Sequence, residues 1–345
     1  MLSQSMSGRL VALFAILIVS LTAQSVTAQE VIVFGSRAAV VEWLKAENFW
    51  GEEKHEAQLQ VPRVLITGIT ERWQTAARNM PVPEKKEIFY RFLLPLVLHA
   101  NELVLDRRAR LTGMADTLAN GGSLAQEDLD WLREVAVVLR IAKREQAAKL
   151  ASADELGEVL DEALYKLDVI PAGLVLGQGA YESGYGTSRF AVAGNALFGQ
   201  WTFGGEGLVP EQQRKSLGDH RIAAYDWPFD SVRSYFINLS SHPAYEDFRR
   251  LRADLKAAGK PVTSVALADG LIRYSERGQE YVDTLKSIMR VNRLDVADNA
   301  VFRDESLRFI VGADGEEDAV RIRGDIERMR ESGEMAQIIA RMRLD

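Results

Sequence analysis

The apolar residues after Pro83 recur at spacings of three and four, which is the period of an amphipathic helix. The stripe predicts one helix from Pro83 and a second from about Asn101 to Leu118, which ends at the Asn-Gly-Gly-Ser run 120–123. No stretch in this part alternates like a strand. The same periodicity predicts further helices over 128–141, 154–167, 171–184, 229–239, 245–258, 264–271 and 280–291.

Three segments depart from this helical pattern. Residues 30–80 have no clear periodicity and predict a loosely ordered lead into the domain. Residues 190–226 are rich in glycine and predict a loop or short β-hairpin. The tail predicts a strand over Leu307–Val311 and a charged amphipathic helix over Glu316–Met342. The fold class is therefore mainly α, with a small β-hairpin or loop lobe.

The first 28 residues have the pattern of an export signal. A short polar lead with Arg9 precedes an apolar run from Leu10 to Leu21, and the small residues Val26-Thr27-Ala28 suit signal peptidase. The run is shorter than the ~20 residues that a membrane-spanning helix needs. The alternative is an uncleaved membrane anchor; either way the bulk of the chain is predicted to lie outside the cytoplasm, in the periplasm or cell envelope.

Composition narrows the classes of function. The 345 residues are 47% hydrophobic, which is enough for a substantial core. The net charge of −7 argues against nucleic acid as a partner. There is no cysteine, so stability must come from packing. The four histidines lack the spacing of metal ligands, and Gly177-Gln178-Gly179 lacks the third glycine of a dinucleotide fingerprint. We expect neither metal nor cofactor.

The helix that opens at Pro171 carries the candidate chemistry. It ends at Gly184 or Gly186, so that Glu182 sits at the negative end of the helix dipole. That position and shielding by the neighbouring tyrosines both raise the pKa of a carboxyl, as a general acid at a glycosidic oxygen requires. Gln178 lies one turn earlier on the same face, and the spacing predicts that it borders the same cleft.

Several motifs around Glu182 resemble a known family. Glu-Ser-Gly-Tyr-Gly-Thr-Ser at 182–188 and Gly-Asn-Ala-Leu-Phe-Gly at 194–199 are similar to motifs of the bacterial N-acetylglucosaminidase family of peptidoglycan hydrolases. Matching pieces follow at 225–228, 238–245 and 274–281. The resemblance covers roughly residues 83–295 and is strongest from 165 to 290.

The resemblance implies a lysozyme-like helical domain with a long cleft, in which Glu182 is the catalytic acid. It implies that Tyr274 belongs to the active site. It also places Asn195, Leu197, Phe198, Tyr225 and Tyr281 at the sugar site. Two residues depart from the family pattern: Ala196 replaces an asparagine that would add a hydrogen bond, and Tyr185 replaces a tryptophan and changes the stacking surface.

The second catalytic group is not fixed by the sequence. A glycosidase of this kind generally needs a second carboxylate, and Glu206 in the glycine-rich segment is the first choice over Glu211, Asp219 and Asp226. The alternative is attack by the substrate's own 2-acetamido oxygen, with Tyr274 orienting it. Tyr185 and Trp201 complete the predicted substrate-binding set, because aromatic faces pack against sugar C–H groups. Gln178 belongs to the set because it lies on the same helix face as Glu182.

These observations predict five segments and one leading function. The segments are a signal peptide (1–28), a loosely ordered lead (29–82), N-terminal helices (83–168), the catalytic domain (169–295) and a C-terminal appendage (296–345). The predicted function is hydrolysis of the β-1,4 bond after N-acetylglucosamine in peptidoglycan. The alternatives are a lytic transglycosylase or muramidase acting on the same glycan, and a non-catalytic glycan-binding scaffold of the envelope.

Overall fold

The computed structural model describes residues 30–51, 58–202, 207–209 and 221–334, and most of these residues are helical. Most of the predicted helices are present with ends that differ by a few residues, but one helix replaces the first two and the helix predicted over 264–271 is part α-helix and part 3-10 helix. Within the described ranges, short 3-10 helices cover Pro243–Tyr245, Ala268–Leu271 and Leu294–Asn299. The α-helices are α1 (Arg37–Ala46), α2 (Glu71–Arg78), α3 (Val82–Ala119), α4 (Gln126–Val138), α5 (Arg144–Ala147), α6 (Ala153–Lys166), α7 (Ala172–Ser183), α8 (Arg189–Gly194), α9 (Pro228–Ser241), α10 (Glu246–Ala257), α11 (Ser264–Leu267), α12 (Gln279–Val291) and α13 (Glu316–Glu331).

The strands of the described residues form three small groups. The strand bounds are β1 (Val31–Phe34), β2 (Gln60–Val61), β3 (Val64–Ile66), β4 (Trp201–Thr202), β5 (Gly207–Leu208), β6 (Arg221–Ala223), β7 (Val301–Phe302) and β8 (Arg308–Gly312). β1, β8 and β3 make a parallel sheet in the order β1-β8-β3, β2 pairs with β7, and β4, β6 and β5 make an antiparallel sheet in the order β4-β6-β5.

Helix α3 replaces the two helices that the sequence predicts after Pro83. It runs without a break through the region where the predicted helices overlap, and it tolerates Pro95 in its interior. By length and composition it is able to cross a membrane, but 72% of its most apolar window is buried inside the protein. Its hydrophobicity therefore has a sufficient explanation in the core, where it packs against α6, α7 and α9. Helix α3 contacts α6, which lies before residue 168, and α7, which lies after it. These contacts do not separate the N-terminal helices from the catalytic domain, so the predicted boundary at 168/169 stays a prediction.

Helix α7 is the central helix of the domain. Every residue from Ala172 to Ala180 is buried, and the helix packs against α3, α11 and α12. Glycines let its neighbours approach: a Cβ on Gly177 would lie 3.0 Å from Met289, and one on Gly179 would lie 2.7 Å from Leu93. Pro171 is the residue before the helix and not its first residue as predicted. Its fixed φ still suits this start.

The lead and the tail are joined in one sheet, which corrects two expectations. Residues 29–82 are predicted to be loosely ordered, yet their described part contains β1, α1, β2, β3 and α2. The predicted tail strand is present as β8, but it is the central strand of the sheet and not part of an appendage. Its residues Phe309 and Ile310 are buried. A strand as short as β1 or β3 is stable only when it is paired and covered. The residues of these two strands therefore do not predict them by themselves.

Ion pairs hold the same junction. Glu47, which follows α1, contacts Arg303 at 3.0 Å and Arg308 at 2.7 Å. The hydrogen bond from Arg308 holds the pKa of this carboxyl below its usual range, against the effect of burial. The charged helix α13 begins at Glu316 as predicted, but it ends at Glu331 and not at Met342. The part of the predicted helix after residue 334 lies outside the described residues.

The small lobe completes the architecture. The glycine-rich segment 190–226 contains most of α8 and then the antiparallel strands β4, β5 and β6, of which β4 begins two residues after Gly199. The structure therefore confirms the predicted mainly α, lysozyme-like fold with a small β lobe.

Candidate active site

Glu182 lies in the last turn of α7, where the helix is closed tightly. Gly184 has a left-handed backbone with φ +58°, and Tyr185 continues this conformation with φ +61°. A left-handed residue after the last turn is the usual end of a helix, and glycine adopts it at least cost. The Gly186 amide donates to the Ser183 hydroxyl at 2.8 Å and holds the turn. The predicted end of the helix is thus confirmed at Gly184.

The two oxygens of the Glu182 carboxyl have different surroundings. Oε1 accepts a hydrogen bond of 3.0 Å from the Tyr281 hydroxyl. Oε2 lies on the side of Gly199, where an added Cβ would stand only 3.7 Å away from it. Gly199 leads into β4 and the small lobe. One oxygen is therefore held by Tyr281, and the other lies beside Gly199, just before the small lobe.

Burial sets the protonation of Glu182. Desolvation raises the pKa of this carboxyl to about 7, while the hydrogen bond from Tyr281 acts in the opposite direction. The sequence also predicts a raised pKa, but from the helix dipole and the flanking tyrosines. The flanking Tyr185 instead turns toward Phe89 and Tyr90, and Tyr181 packs edge-on against Tyr281. The shielding comes from residues distant in sequence.

Tyrosines from three elements surround the acid. Tyr281 on α12 stacks on Tyr274 with 5.6 Å between ring centroids and 8° between planes. The Tyr274 hydroxyl donates to the Phe198 carbonyl at 3.0 Å. Phe198 in turn stacks on Tyr235 of α9 at 4.3 Å. Burial raises the pKa of both Tyr274 and Tyr281, so these phenols stay neutral.

The 194–199 motif acts through the backbone. Asn195 ends α8 with φ +50°, its side chain donates to the carbonyls of Tyr225 and Asp226 at 3.0 Å each, and it accepts from the Ile69 amide at 2.9 Å. Leu197 and Phe198 are buried. The side chains of Leu197 and Phe198 therefore have no exposed face for a sugar, while Asn195 is half-buried.

Two predicted sugar-site aromatics remain accessible in the small lobe. Trp201 on β4 is 49% exposed, the highest value among the described tryptophans and tyrosines of this lobe. Tyr225 is half-buried, and its hydroxyl is bonded to Gln200 at 2.9 Å and to Ser234 at 3.1 Å. Trp201 is therefore the better candidate for stacking on a sugar ring.

The structure corrects the role expected for Gln178. Its side chain is fully buried and reaches Tyr281 and Tyr235, so it lies behind Glu182 and not on the cleft wall. Tyr281 is fully buried as well, so it touches the acid and not the open cleft. The helical spacing correctly predicts that Gln178 and Glu182 lie on one face of α7. It does not predict that this face is covered by the core at Gln178.

Most of the candidates for the second carboxylate lie outside the described residues. The first choice, Glu206, lies outside the described residues, and so do Glu211 and Asp219. Asp226 is exposed. Within the described ranges, burial and Tyr281 alone shift the pKa of Glu182, and no charged side chain contributes. The described residues thus account for the state of Glu182, and the second carboxylate stays a prediction.

Tyr235 belongs to the site but is not predicted from the sequence. It is fully buried, its hydroxyl donates to Gln178 Oε1, and its ring covers Phe198. A signal does exist: Gln178 is a lone amide in the apolar run Ala172–Ala180, and a buried amide needs partners. The sequence does not say which residues supply them.

Other features lie away from the acid. Residues 30–51, 58–202, 207–209 and 221–334 contain no group of three or more potential metal ligands. An apolar cavity of about 170 Å³ lies between β1, α2 and α3, with Trp73, Phe89, Phe92 and Ile310 in its wall, and Glu182 is not among its lining residues.

The comparisons with known proteins agree with the resemblance. A family model described as mannosyl-glycoprotein endo-beta-N-acetylglucosaminidase matches residues 157–294, a start at 157 rather than 169. Protein bax of Escherichia coli (strain K12) is 34% identical over 134 residues, which is 39% of this chain and about half, 47%, of that relative. No solved structure gives a significant match. The family match spans α7, α9 and α12, which carry Glu182, Tyr235 and Tyr281, and residues 157–294 form a domain of the glucosaminidase family, in the branch that includes protein bax.

Proposed function

We propose that this protein hydrolyses the β-1,4 glycosidic bond after N-acetylglucosamine in peptidoglycan, with Glu182 as the general acid. The observation that carries the proposal is the state of this carboxyl: its pKa is raised to about 7, one oxygen is held by Tyr281, and the other faces Gly199. The glucosaminidase-family match supports a glycan as the substrate.

The chemistry follows from that geometry. The proton on Glu182 passes to the glycosidic oxygen as the bond from that oxygen to the anomeric carbon breaks, so the leaving sugar departs as an alcohol. The positive charge that develops on the ring lies beside the new carboxylate of Glu182. Water then supplies hydroxide to the anomeric carbon and gives its proton to a base.

Two routes supply the remaining group. In the first, Glu206, the first choice from the sequence, is the base. In the second, the 2-acetamido oxygen of the substrate bonds to the anomeric carbon first, and water opens that ring afterwards.

Product analysis tests the proposal. Mass spectrometry of the fragments released from purified peptidoglycan is expected to find new reducing N-acetylglucosamine ends. Fragments that end in 1,6-anhydro-muramic acid would identify a lytic transglycosylase instead. New reducing N-acetylmuramic acid ends would identify a muramidase. Retention of the protein on peptidoglycan without any released fragment would identify a scaffold.

The pH dependence is a second expectation. A general acid must be protonated, and burial keeps Glu182 protonated until the pH approaches 7. We expect kcat/KM to fall tenfold per pH unit above a midpoint near pH 7. A glutamate with the ordinary pKa would give a midpoint near pH 4.5 instead. The profile is measured with soluble glycan fragments. A limb close to 4.5 would contradict the role given to burial.

Export is part of the same proposal. The first 28 residues lie outside the described residues, and we propose that they direct the protein to the periplasm or cell envelope. Sequencing of the amino terminus of protein from the periplasmic fraction is expected to begin after Ala28. A chain that keeps Met1 and stays with the membrane would identify an anchor.

A further inference from the structure

A chain of three hydrogen bonds runs behind Glu182. Tyr235 donates its hydroxyl proton to Gln178 Oε1, Gln178 Nε2 donates to the Tyr281 oxygen at 2.8 Å, and Tyr281 donates to Glu182 Oε1 at 3.0 Å. Gln178, Tyr235 and Tyr281 are all fully buried. They come from α7, α9 and α12, so the chain forms only when these three helices pack together.

The chain has a direction because each phenol has one proton. The Tyr281 oxygen accepts from the Gln178 amide, and its own proton is therefore left to point at Glu182. Tyr235 decides which end of the Gln178 amide faces Tyr281, since its proton needs the amide oxygen. Without Tyr235, the amide group is able to turn over, present its oxygen to Tyr281 and draw the proton away from Glu182.

We propose that Tyr235 and Gln178 are positioning residues, which act through Tyr281 to keep the transferable proton of Glu182 on Oε2. Oε1 accepts from Tyr281, and in a neutral carboxylic acid the unprotonated carbonyl oxygen is the better acceptor, so this hydrogen bond favours the form with the proton on Oε2. The proton therefore resides on the oxygen that faces Gly199 and the small lobe. The inference rests on the proposed function, since only a general acid has use for such an orientation.

The described side chains around Glu182 are phenols, so hydrogen bonds determine which of its oxygens carries the proton. Around Glu182 stand Tyr281 on α12, Tyr274 before it, Tyr235 on α9 and Tyr245 in the following 3-10 helix, and burial raises the pKa of each phenol. Arg277 contacts Tyr181 on α7, but it is paired with Glu280 and does not shift the pKa of Glu182. Among the described residues, no charge therefore favours one oxygen over the other.

The test compares three variants of the full chain. Tyr281→Phe removes the bond to Glu182, so the alkaline midpoint of kcat/KM is expected to rise by about one pH unit. Tyr235→Phe leaves Tyr281 in place, and we expect a shift in the same direction, of up to about one unit, with a several-fold loss of kcat and little change in KM. Gln178→Met, of similar shape, is expected to behave like Tyr235→Phe.

Tyr245→Phe is the matched control. It removes a hydroxyl from the same cluster, where Tyr245 packs 5.7 Å from Tyr274, but it leaves the three bonds intact. Its midpoint is expected to equal that of the wild type. A wild-type midpoint in both Tyr235→Phe and Gln178→Met would overturn the inference, and so would an equal shift in Tyr245→Phe, which would indicate general loosening of the cluster.

A second readout separates this inference from the proposed function. Carbon NMR of ¹³C-glutamate-labelled protein without substrate reports the titration of the Glu182 carboxyl directly, with Glu182→Gln used to assign the signal. We expect Tyr235→Phe to raise that titration. If the shift appears while the products are those of another reaction, the hydrogen-bond chain stands and the proposed function fails. If the products are correct and the titration is unchanged, the hydrogen-bond chain fails alone.

Discussion

Glu182→Gln is expected to lower kcat on peptidoglycan by about 10²- to 10⁴-fold, the range that general acid catalysis contributes. The amide keeps the shape of the acid and still accepts the hydrogen bond from Tyr281, so the folded structure should be preserved. It has no proton of the required acidity to give to the glycosidic oxygen. The measurement is the rate of release of soluble fragments at pH 6, where the wild-type carboxyl is mostly protonated.

Glu158→Gln is the matched control for this variant. Glu158 is exposed on α6, within the same family match, and the same change there should leave kcat unaltered. Both variants should unfold at the wild-type temperature. Equal activity of Glu182→Gln and the wild type would remove the basis of the proposed function.

Gly173→Ala is expected to have the largest effect on stability among the single substitutions considered. A Cβ at residue 173 would lie 2.3 Å from the Leu294 carbonyl oxygen and 2.6 Å from the Ser264 hydroxyl. Backbone must move to make room, and overpacking of this kind costs about 1–3 kcal/mol or more. The Gly173 amide also donates to Asp298 at 2.9 Å, a bond that the same movement disturbs. Urea unfolding should give a lower midpoint with an unchanged slope.

Gly157→Ala supplies the comparison for that prediction. Gly157 is also a helix residue, in α6, but nothing lies within 4 Å of the position that a Cβ would occupy there. Alanine has the higher helix propensity, so this variant should be as stable as the wild type or more stable by up to about 1 kcal/mol. Equal stability of the two variants would contradict the close packing of α7 against the Leu294–Asn299 3-10 helix.

Local pattern predicts the helices of this fold well. The stripe after Pro83 locates α3, and the pair Pro171 and Gly184 locates both ends of α7. Each of these signals resides in neighbouring residues, which is why a single sequence is enough. The break placed between two helices near Asn101 is wrong because the overlap of two apolar stripes does not itself interrupt a helix.

Contacts between distant segments are what the sequence does not reveal. β1 and β3 gain their stability from β8, and nothing in Val31–Phe34 or Val64–Ile66 names that partner. The hydrogen-bond chain behind Glu182 is a similar case, because Tyr235 reads as one more apolar position on α9. Glu182 itself is found from a motif, while its raised pKa depends on the way other helices enclose it.

The parallel sheet also has a consequence for the order of folding. Thr67, at the end of β3, reaches Ile310 of β8 across 243 residues of chain. At a synthesis rate of roughly 5–20 residues per second, that partner strand follows by on the order of 10–50 seconds. During that interval the edges of β1 and β3 have no mate, which is the condition under which strands associate with other chains. A polypeptide that terminates before residue 308 keeps the whole glucosaminidase segment, yet we expect it to precipitate on expression.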